Sequence, residues 1–364
     1  MHAKGAFMTN KLSDIETLYL DDENDALVII DQTLLPGEIK TVSLYTQEEI
    51  WDAIYRLCVR GAPAIGDAAA IAYYLAAKAH IKNDPSISED ALGEMLAKDK
   101  AYLASSRPTA VNLFWALDKM ERAYLACKHT ENQSILAKLK TECLDIVNTD
   151  IDMCRKIGEY GLSLIKDGDG VLTHCNAGRL ATAKYGTATA PIYLAYERGM
   201  HLRVYADETR PLLQGARLTA TELAAAGVDV TLLCDNMVSY AMKQGLIQAV
   251  FVGCDRVAAN GDTANKIGTS VVACVAKRYG IPFYVCTPTS TIDKNCASGK
   301  DIPIESRKAE EVTELWYKER MAPSGISVLN PAFDVTDADL ITAIITEKGI
   351  VYPPFDRLLE LCAE

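Results

Sequence analysis

From Gly170 onward the chain repeats one pattern: a short apolar run rich in β-branched residues, a polar turn, and a segment with apolar residues at helical spacing. The runs are Val171–His174, Leu202–Ala206, Val230–Cys234, Ala249–Gly253 and Phe283–Cys286. Between them lie helical patterns at Thr187–Arg198, Ala216–Ala226, Asn236–Gln244 and Ser270–Tyr279. A strand apolar on both faces needs helices on both faces, which is the environment of a parallel sheet. Strands alternating with helices form βαβ units. The pattern therefore predicts an α/β fold, a Rossmann-like doubly wound parallel sheet, since five strands are too few for an eightfold barrel.

Four of these strands end in polar residues. Thr173-His174-Cys175-Asn176-Ala177-Gly178 follows the first, Ala206-Asp207-Glu208-Thr209-Arg210-Pro211 the second, Asp235-Asn236-Met237 the third, and Gly253-Cys254-Asp255-Arg256 the fourth. Ligands of open α/β sheets bind outside the carboxyl ends of the strands, so these groups converge on one crevice in this topology. Asp255 stands there as a candidate acid. Cys175 is either a buried inert thiol or a functional one, and the polar residues around it favour function. His174 reads as a supporting histidine. Asn265-Lys266-Ile267-Gly268-Thr269-Ser270 opens a helix with backbone N–H groups, a lysine and hydroxyls, the composition of an anion site.

The first half is built differently. Residues 1 to about 45 read as a small β meander, with a strand at Ala26–Asp31 and a turn at Leu35-Pro36-Gly37-Glu38. Thr46-Gln47-Glu48-Glu49 is a capping box ahead of a helix reaching about Val59. Arg60-Gly61-Ala62-Pro63 interrupts, with Pro63 suited to the first turn of an alanine-rich helix through Ile81. That stretch is either a plain helix–helix turn or a second anion cradle. Further helices are expected at Glu89–Ala104 and Ala110–Lys128, separated by Ser105-Ser106-Arg107-Pro108-Thr109. Pro108 pushes Arg107 towards extended geometry; alone it reads as a solvated arginine. Patterns at Ile135–Val147 and Ile151–Ile165 form two helices or one long connecting helix. Two domains follow: residues 1–145, helical with the small meander, and residues 146–364, Rossmann-like and catalytic.

Composition removes several functions. A formal charge of −12 argues against a nucleic-acid surface, which draws on clustered lysine and arginine. The eleven cysteines contain no Cys-x-x-Cys pair, and the five histidines are dispersed, so no metal site is expected. Neither a signal peptide nor a run approaching ~20 apolar residues is present, which points to the cytoplasm and away from the membrane.

Taken together the motifs resemble the methylthioribose-1-phosphate isomerases, the aldose–ketose isomerases of methionine salvage, within a superfamily shared with regulatory subunits of a translation initiation factor's exchange factor. The resemblance runs through Asp31-Gln32-Thr33-Leu34-Leu35-Pro36, Arg60-Gly61-Ala62-Pro63-Ala64-Ile65-Gly66, Ser106-Arg107-Pro108-Thr109-Ala110 and Thr173-His174-Cys175-Asn176. It continues through Asp207-Glu208-Thr209-Arg210-Pro211, Gln214-Gly215-Ala216-Arg217-Leu218-Thr219, Asp235-Asn236-Met237, Ala264-Asn265-Lys266-Ile267-Gly268-Thr269 and Asn330-Pro331-Ala332-Phe333-Asp334. It implies that Cys175 and Asp255 are catalytic and that Arg60, Gly61, Ala62, Arg107, Gln214, Asn265 and Lys266 bind substrate. The implied reaction turns 5-methylthioribose 1-phosphate into 5-methylthioribulose 1-phosphate, without cofactor, in a homodimer. Isomerases of ribose 1,5-bisphosphate or 5-deoxyribose 1-phosphate, and a non-catalytic regulatory subunit of the same fold, are the alternatives. Cys254 replaces the alanine expected beside the catalytic aspartate.

Overall fold

The computed structural model describes residues 12–108 and 110–362. The first residues of the expected meander, and Thr109 of the Ser-Arg-Pro-Thr loop, lie outside them. Contacts divide the chain into two compact units. One runs to Arg155 and also takes in Gly178–Gly186; the other consists of Lys156–Ala177 and the chain from Thr187 onward.

In the first unit an antiparallel sheet of β1 (Leu18–Asp21), β2 (Ala26–Ile30) and β3 (Thr41–Leu44) places β2 in the middle with all its residues buried. The capping box forms as expected: the Glu49 N–H donates to Thr46 Oγ1 at 3.2 Å and the Thr46 N–H to Glu49 Oε2 at 3.1 Å. They start α1 (Gln47–Tyr55), which stops short of Val59 because Leu57 turns left-handed at φ 65°. The next helices are α2 (Ala62–Asn83), α3 (Glu89–Ala104), α4 (Val111–Leu125) and α5 (Asn132–Leu162). Alanines let α2 bury most of its circumference. At Gly66 a side chain would come within 3.0 Å of the Asn112 carbonyl, so α2 and α4 pack through a glycine. The two patterns between Ile135 and Ile165 are one continuous helix ending at Leu162.

Gly178–Gly186 is fastened into this first unit. Gln32 Nε2 donates to the Leu180 carbonyl at 2.6 Å, Thr17 Oγ1 to the Arg179 carbonyl at 2.9 Å, and the Ala183 N–H to Asp150 Oδ2 at 2.7 Å. The carboxyls of Asp67, on α2, and Asp150, on α5, are both buried, and each acts on the other. Burial holds both above the usual carboxylate range, Asp67 well above it with the Asp150 charge adding to the effect.

The second unit contains the expected sheet. Its strands are β4 (Gly170–Thr173), β5 (Arg203–Asp207), β6 (Asp229–Leu233), β7 (Ala249–Val252), β10 (Phe283–Cys286), β13 (Ala343–Thr346) and β14 (Gly349–Val351), the labels β8, β9, β11 and β12 belonging to a second sheet. The order is β14-β13-β10-β7-β4-β5-β6, with every pairing parallel except β13 to β14. Two strands more than the sequence pattern predicts therefore join at one side. From β4 the chain winds outward through β5 and β6, then returns to β7 and winds the other way. The topological switch point lies between β4 and β7. Helices α6 (Ala190–Glu197), α7 (Ala220–Ala225), α8 (Val238–Lys243) and α9 (Thr269–Tyr279) belong to this unit. Fully buried Phe251 and Phe283 lie on neighbouring central strands, each stabilising by roughly 1.5–3 kcal/mol. The smaller sheet, β8 (Arg256–Ala258), β9 (Thr263–Lys266), β11 (Ile292–Asp293) and β12 (Phe333–Thr336), has the order β11-β8-β9-β12.

Candidate functional site

Cys175 leaves the carboxyl end of β4 with φ 62°, a left-handed conformation that costs a residue with a side chain of order 1–3 kcal/mol. Two threonines hold it there. Its N–H donates to Thr209 Oγ1 at 2.8 Å, and its carbonyl accepts from Thr219 Oγ1 at 2.6 Å. Thr219 also accepts from Asn176 Nδ2 at 3.0 Å. The thiol is buried.

Asp255 follows β7, the strand across the switch point from β4. Its N–H donates to the Ala264 carbonyl at 2.9 Å, which fixes it to β9, the strand carrying Asn265 and Lys266. A Cβ on Gly253 would lie 2.4 Å from that of Ala177, so only glycine lets the turn after β7 close on the turn after Cys175. The Asp255 side chain is exposed, so its apolar approach strand does not dry it. Beside it, burial pushes the Cys254 thiol up to about 12.

On β9, Asn265 is buried and its Nδ2 donates to Thr269 Oγ1 at 3.0 Å. Lys266 Nζ donates to the Ala332 carbonyl at 3.1 Å and lies 4.4 Å from the centre of the Phe333 ring, a cation–π contact. The start of α9, expected as an anion site, already holds an anion. Asp334 accepts from the Gly268 N–H at 2.8 Å, from the Ser270 N–H at 3.2 Å and from Ser270 Oγ at 2.8 Å. An internal carboxylate thus takes the amides that a phosphate would have used.

Gln214 precedes a π-helical turn, Gly215–Thr219, where an ordinary helix from Ala216 was expected. A Cβ on Gly215 would come within 1.7 Å of the Asp207 carbonyl oxygen, so at the start of this turn the backbone passes directly against β5. Such turns interrupt helices frequently at functional sites. Gln214 is buried and its Oε1 meets no donor among the described residues, an arrangement that costs stability unless a ligand or water completes it.

Behind Cys175 lies a buried charged network. His174 Nδ1 is 2.8 Å from Asp207 Oδ2, and its Nε2 is 2.9 Å from the Ile267 carbonyl. Asp207 Oδ1 accepts from Thr209 Oγ1 at 3.0 Å. Asp235 accepts from the N–H groups of Thr209 and Arg210, each at 2.7 Å. Burial would lower the His174 pKa, but the adjacent Asp207 carboxylate outweighs it and the net direction is up. Among the described residues, His174, Asp207 and Asp235 are the grouping compact enough to hold a metal ion, with ligand atoms within 4.8 Å of one another. These atoms are spent on hydrogen bonds within the protein, so the cluster reads as an ion-pair network.

The other expected binding residues belong to the first unit. Arg60 and Arg107 are half-buried. Gly61 caps α2 at φ 98°, and a Cβ there would lie 2.5 Å from Ala181, so the position admits only glycine. Gly61, the residue ahead of α2, has no side chain with which to cap it. Ala62 is its first residue.

The model of the initiation factor 2 subunit family matches residues 58–353. The chain belongs to that family. Within it, a methylthioribose-1-phosphate isomerase of Symbiobacterium thermophilum is 62% identical over 346 residues, 95% of each chain. A 5-deoxyribose 1-phosphate isomerase of Clostridium botulinum is 51% identical over 352 residues, 96% of this chain and 99% of its own. The crystal structure of 5-methylthioribose 1-phosphate isomerase from Pyrococcus horikoshii OT3 superposes with a TM-score of 0.88 at 40% identity, covering 95% of each chain. The family's fold class is the one expected from the strand and helix pattern.

Several residues around Cys175 and the start of α9 escaped sequence reasoning. Thr209 and Thr219, which clamp Cys175, carry no signal beyond lying within the quoted motifs. Asp334 was likewise visible as part of a motif and nothing more. The proline in Arg210-Pro211 and the glycine in Gln214-Gly215 did mark a tight passage, and that was the available hint of the π-helical turn.

Proposed function

We propose that this chain isomerises 5-methylthioribose 1-phosphate to 5-methylthioribulose 1-phosphate in methionine salvage, with Cys175 and Asp255 as its catalytic pair. The observation that carries the reading is the placement of both residues on the two strands that flank the switch point, within a family whose 62% identical member bears that isomerase name. Non-catalytic regulation is disfavoured by the same identity.

The anomeric oxygen of the substrate is esterified, so the ring cannot open as a free sugar does. Asp255 donates a proton to the ring oxygen while the C1–O bond breaks, leaving positive charge at C1. Hydrogen then passes from C2 to C1, and the C2 hydroxyl becomes the ketone with loss of its proton. In one route Cys175 takes the C2 proton and returns it to C1 through an enediol-type species; in the other a hydride shifts directly and Cys175 stabilises the transition state. The Asp255 carboxyl is exposed, so bound substrate can reach it directly. The phosphate seat is assigned to Arg60, Gly61 and Ala62 at the start of α2, with Arg107. Gln214 offers its unpartnered oxygen to a sugar hydroxyl, and Asn265 and Lys266 complete the binding set.

The 5-substituent is the second question, since a relative at 51% identity is named for the deoxyribose substrate. A thioether and a methyl differ by little more than a methylene's contact, worth only ~1–3 kcal/mol of discrimination. Both sugars are therefore expected as substrates, with bisphosphates disfavoured. We further assign a cytoplasmic homodimer, joined at the unpaired edge of β6, where Leu232, Met237 and Tyr240 are exposed.

The test is an assay of the purified chain in deuterium oxide. Ketose product from methylthioribose 1-phosphate is expected, and its absence would remove the assignment. Deuterium at C1 selects the proton route, in which the Cys175 thiol exchanges its proton with solvent before returning it; complete retention of hydrogen there is the outcome expected of the hydride shift.

A further inference from the structure

His174 is buried, adjoins Cys175 in the chain, and has no part in the reaction above. Its two ring nitrogens face two acceptors: a carboxylate oxygen of Asp207 at 2.8 Å and the Ile267 carbonyl at 2.9 Å. A neutral imidazole has one N–H and would turn a lone pair towards one of these oxygens; only the doubly protonated ring satisfies both. Its partners lead directly into the site. Asp207 accepts from Thr209, whose hydroxyl accepts the Cys175 N–H. Ile267 separates Lys266 from Gly268, and a Cβ on Gly268 would lie 2.9 Å from the His174 ring.

We propose that His174 is an imidazolium in the working enzyme and is a positioning residue, tying the Cys175 turn to the loop that carries Lys266. The inference rests on the isomerase reading for its kinetic part and on the hydrogen bonds alone for its spectroscopic part. The charged groups on the surrounding elements are consistent with it. Asp207 comes from β5, and Asp235, following β6, adds a second negative charge felt by the ring. Glu208 lies beyond Asp235, and burial with the Asp235 charge raises its pKa. On the other side Lys266 is the opposing cation, turned towards Ala332 and Phe333, and Asp334 from β12 holds the Gly268 N–H. Carboxylates thus outnumber cations around the ring. A histidine stabilised as its cation keeps the site assembled at low and neutral pH and releases it as pH rises through its elevated pKa.

The experiment has two arms. In the first, imidazole ¹⁵N shifts of the full chain are followed from pH 5 to 9, with the His174 signal assigned by its loss in His174→Gln. Both nitrogens are expected to stay protonated at pH 7.5. A neutral tautomer at that pH, or an ordinary midpoint near 6.5, overturns the proposal even if the chain is an active isomerase. In the second, the pH profile of kcat/KM is measured for wild type and Asp207→Asn. Removing the carboxylate should move the alkaline limb to lower pH by about 1–3 units, the range for losing an adjacent opposite charge. A limb that stays in place in a folded variant overturns the kinetic role. Should Asp207→Asn fail to fold, the first arm decides on the wild-type chain alone.

Discussion

A left-handed cysteine is an expensive way to end a strand, and the protein maintains it with two hydroxyls that are themselves held by Asp207 and Asn176. The cost has meaning only if the thiol must sit where it does. Cys175→Ser keeps the volume and the backbone partners but replaces the thiol with a far weaker acid. Its loss should fall on kcat more than on KM, the mark of an interaction made mainly in the transition state. Asp255→Asn keeps size and loses only the deliverable proton, so a drop of ~10²–10⁴-fold in rate with substrate binding intact is expected. Steady-state kinetics on variants whose circular dichroism matches wild type checks both. Wild-type turnover in the two would reduce these residues to packing at strand ends.

At the scale of elements, the edge strand β6 carries the association argument. Its backbone is unpaired on one side, and Leu232, Met237 and Tyr240 are 51%, 46% and 67% exposed on it and on the segment that follows, too apolar a set for an open edge. Leu232→Asp with Tyr240→Asp should convert a dimer to monomers in sedimentation equilibrium, and a wild-type chain that sediments at 39.7 kDa would remove the homodimer. The elements themselves were largely legible. Four of the five apolar runs are strands covered on both faces, which is what their unbroken apolar pattern reports, whereas β6 is apolar and yet exposed at the edge of the sheet. β13 and β14 were missed because Ala343–Thr346 and Gly349–Val351 are short and follow no helical pattern to frame them. The anion cradle at α9 was misread for a different reason. Its composition is right, but its occupant, Asp334, arrives from 64 residues away in sequence for Ser270, and no local pattern encodes a contact of that range. The exposure of Asp255 was equally out of reach, since it depends on what the hairpin after β7 leaves uncovered.

Over the whole molecule, the buried carboxyl pair in the first unit sets a pH dependence of stability. Asp67 and Asp150 both have raised pKa values in the folded chain, whereas the unfolded chain releases these protons near pH 4. Between those limits the folded state binds more protons than the unfolded one, so the pair's contribution weakens as pH rises, by about 1.4 kcal/mol per pH unit for each proton retained. Asp67→Asn mimics the protonated acid and can donate to Asp150. Its melting temperature should match wild type near pH 5 and exceed it increasingly towards pH 8. A difference that does not change with pH would mean that no proton is shared.

The passage of Gly178–Gly186 through the first unit has a consequence for how such a protein can be cut, copied or evolved. Neither unit is a contiguous stretch of the gene. A fragment ending at Arg155 lacks the backbone carbonyls that Gln32 and Thr17 bind and the N–H that Asp150 accepts. A fragment beginning at Lys156 carries nine residues that belong to the other unit. Recombination at a single junction therefore cannot exchange one unit for a foreign one, and the two are inherited together.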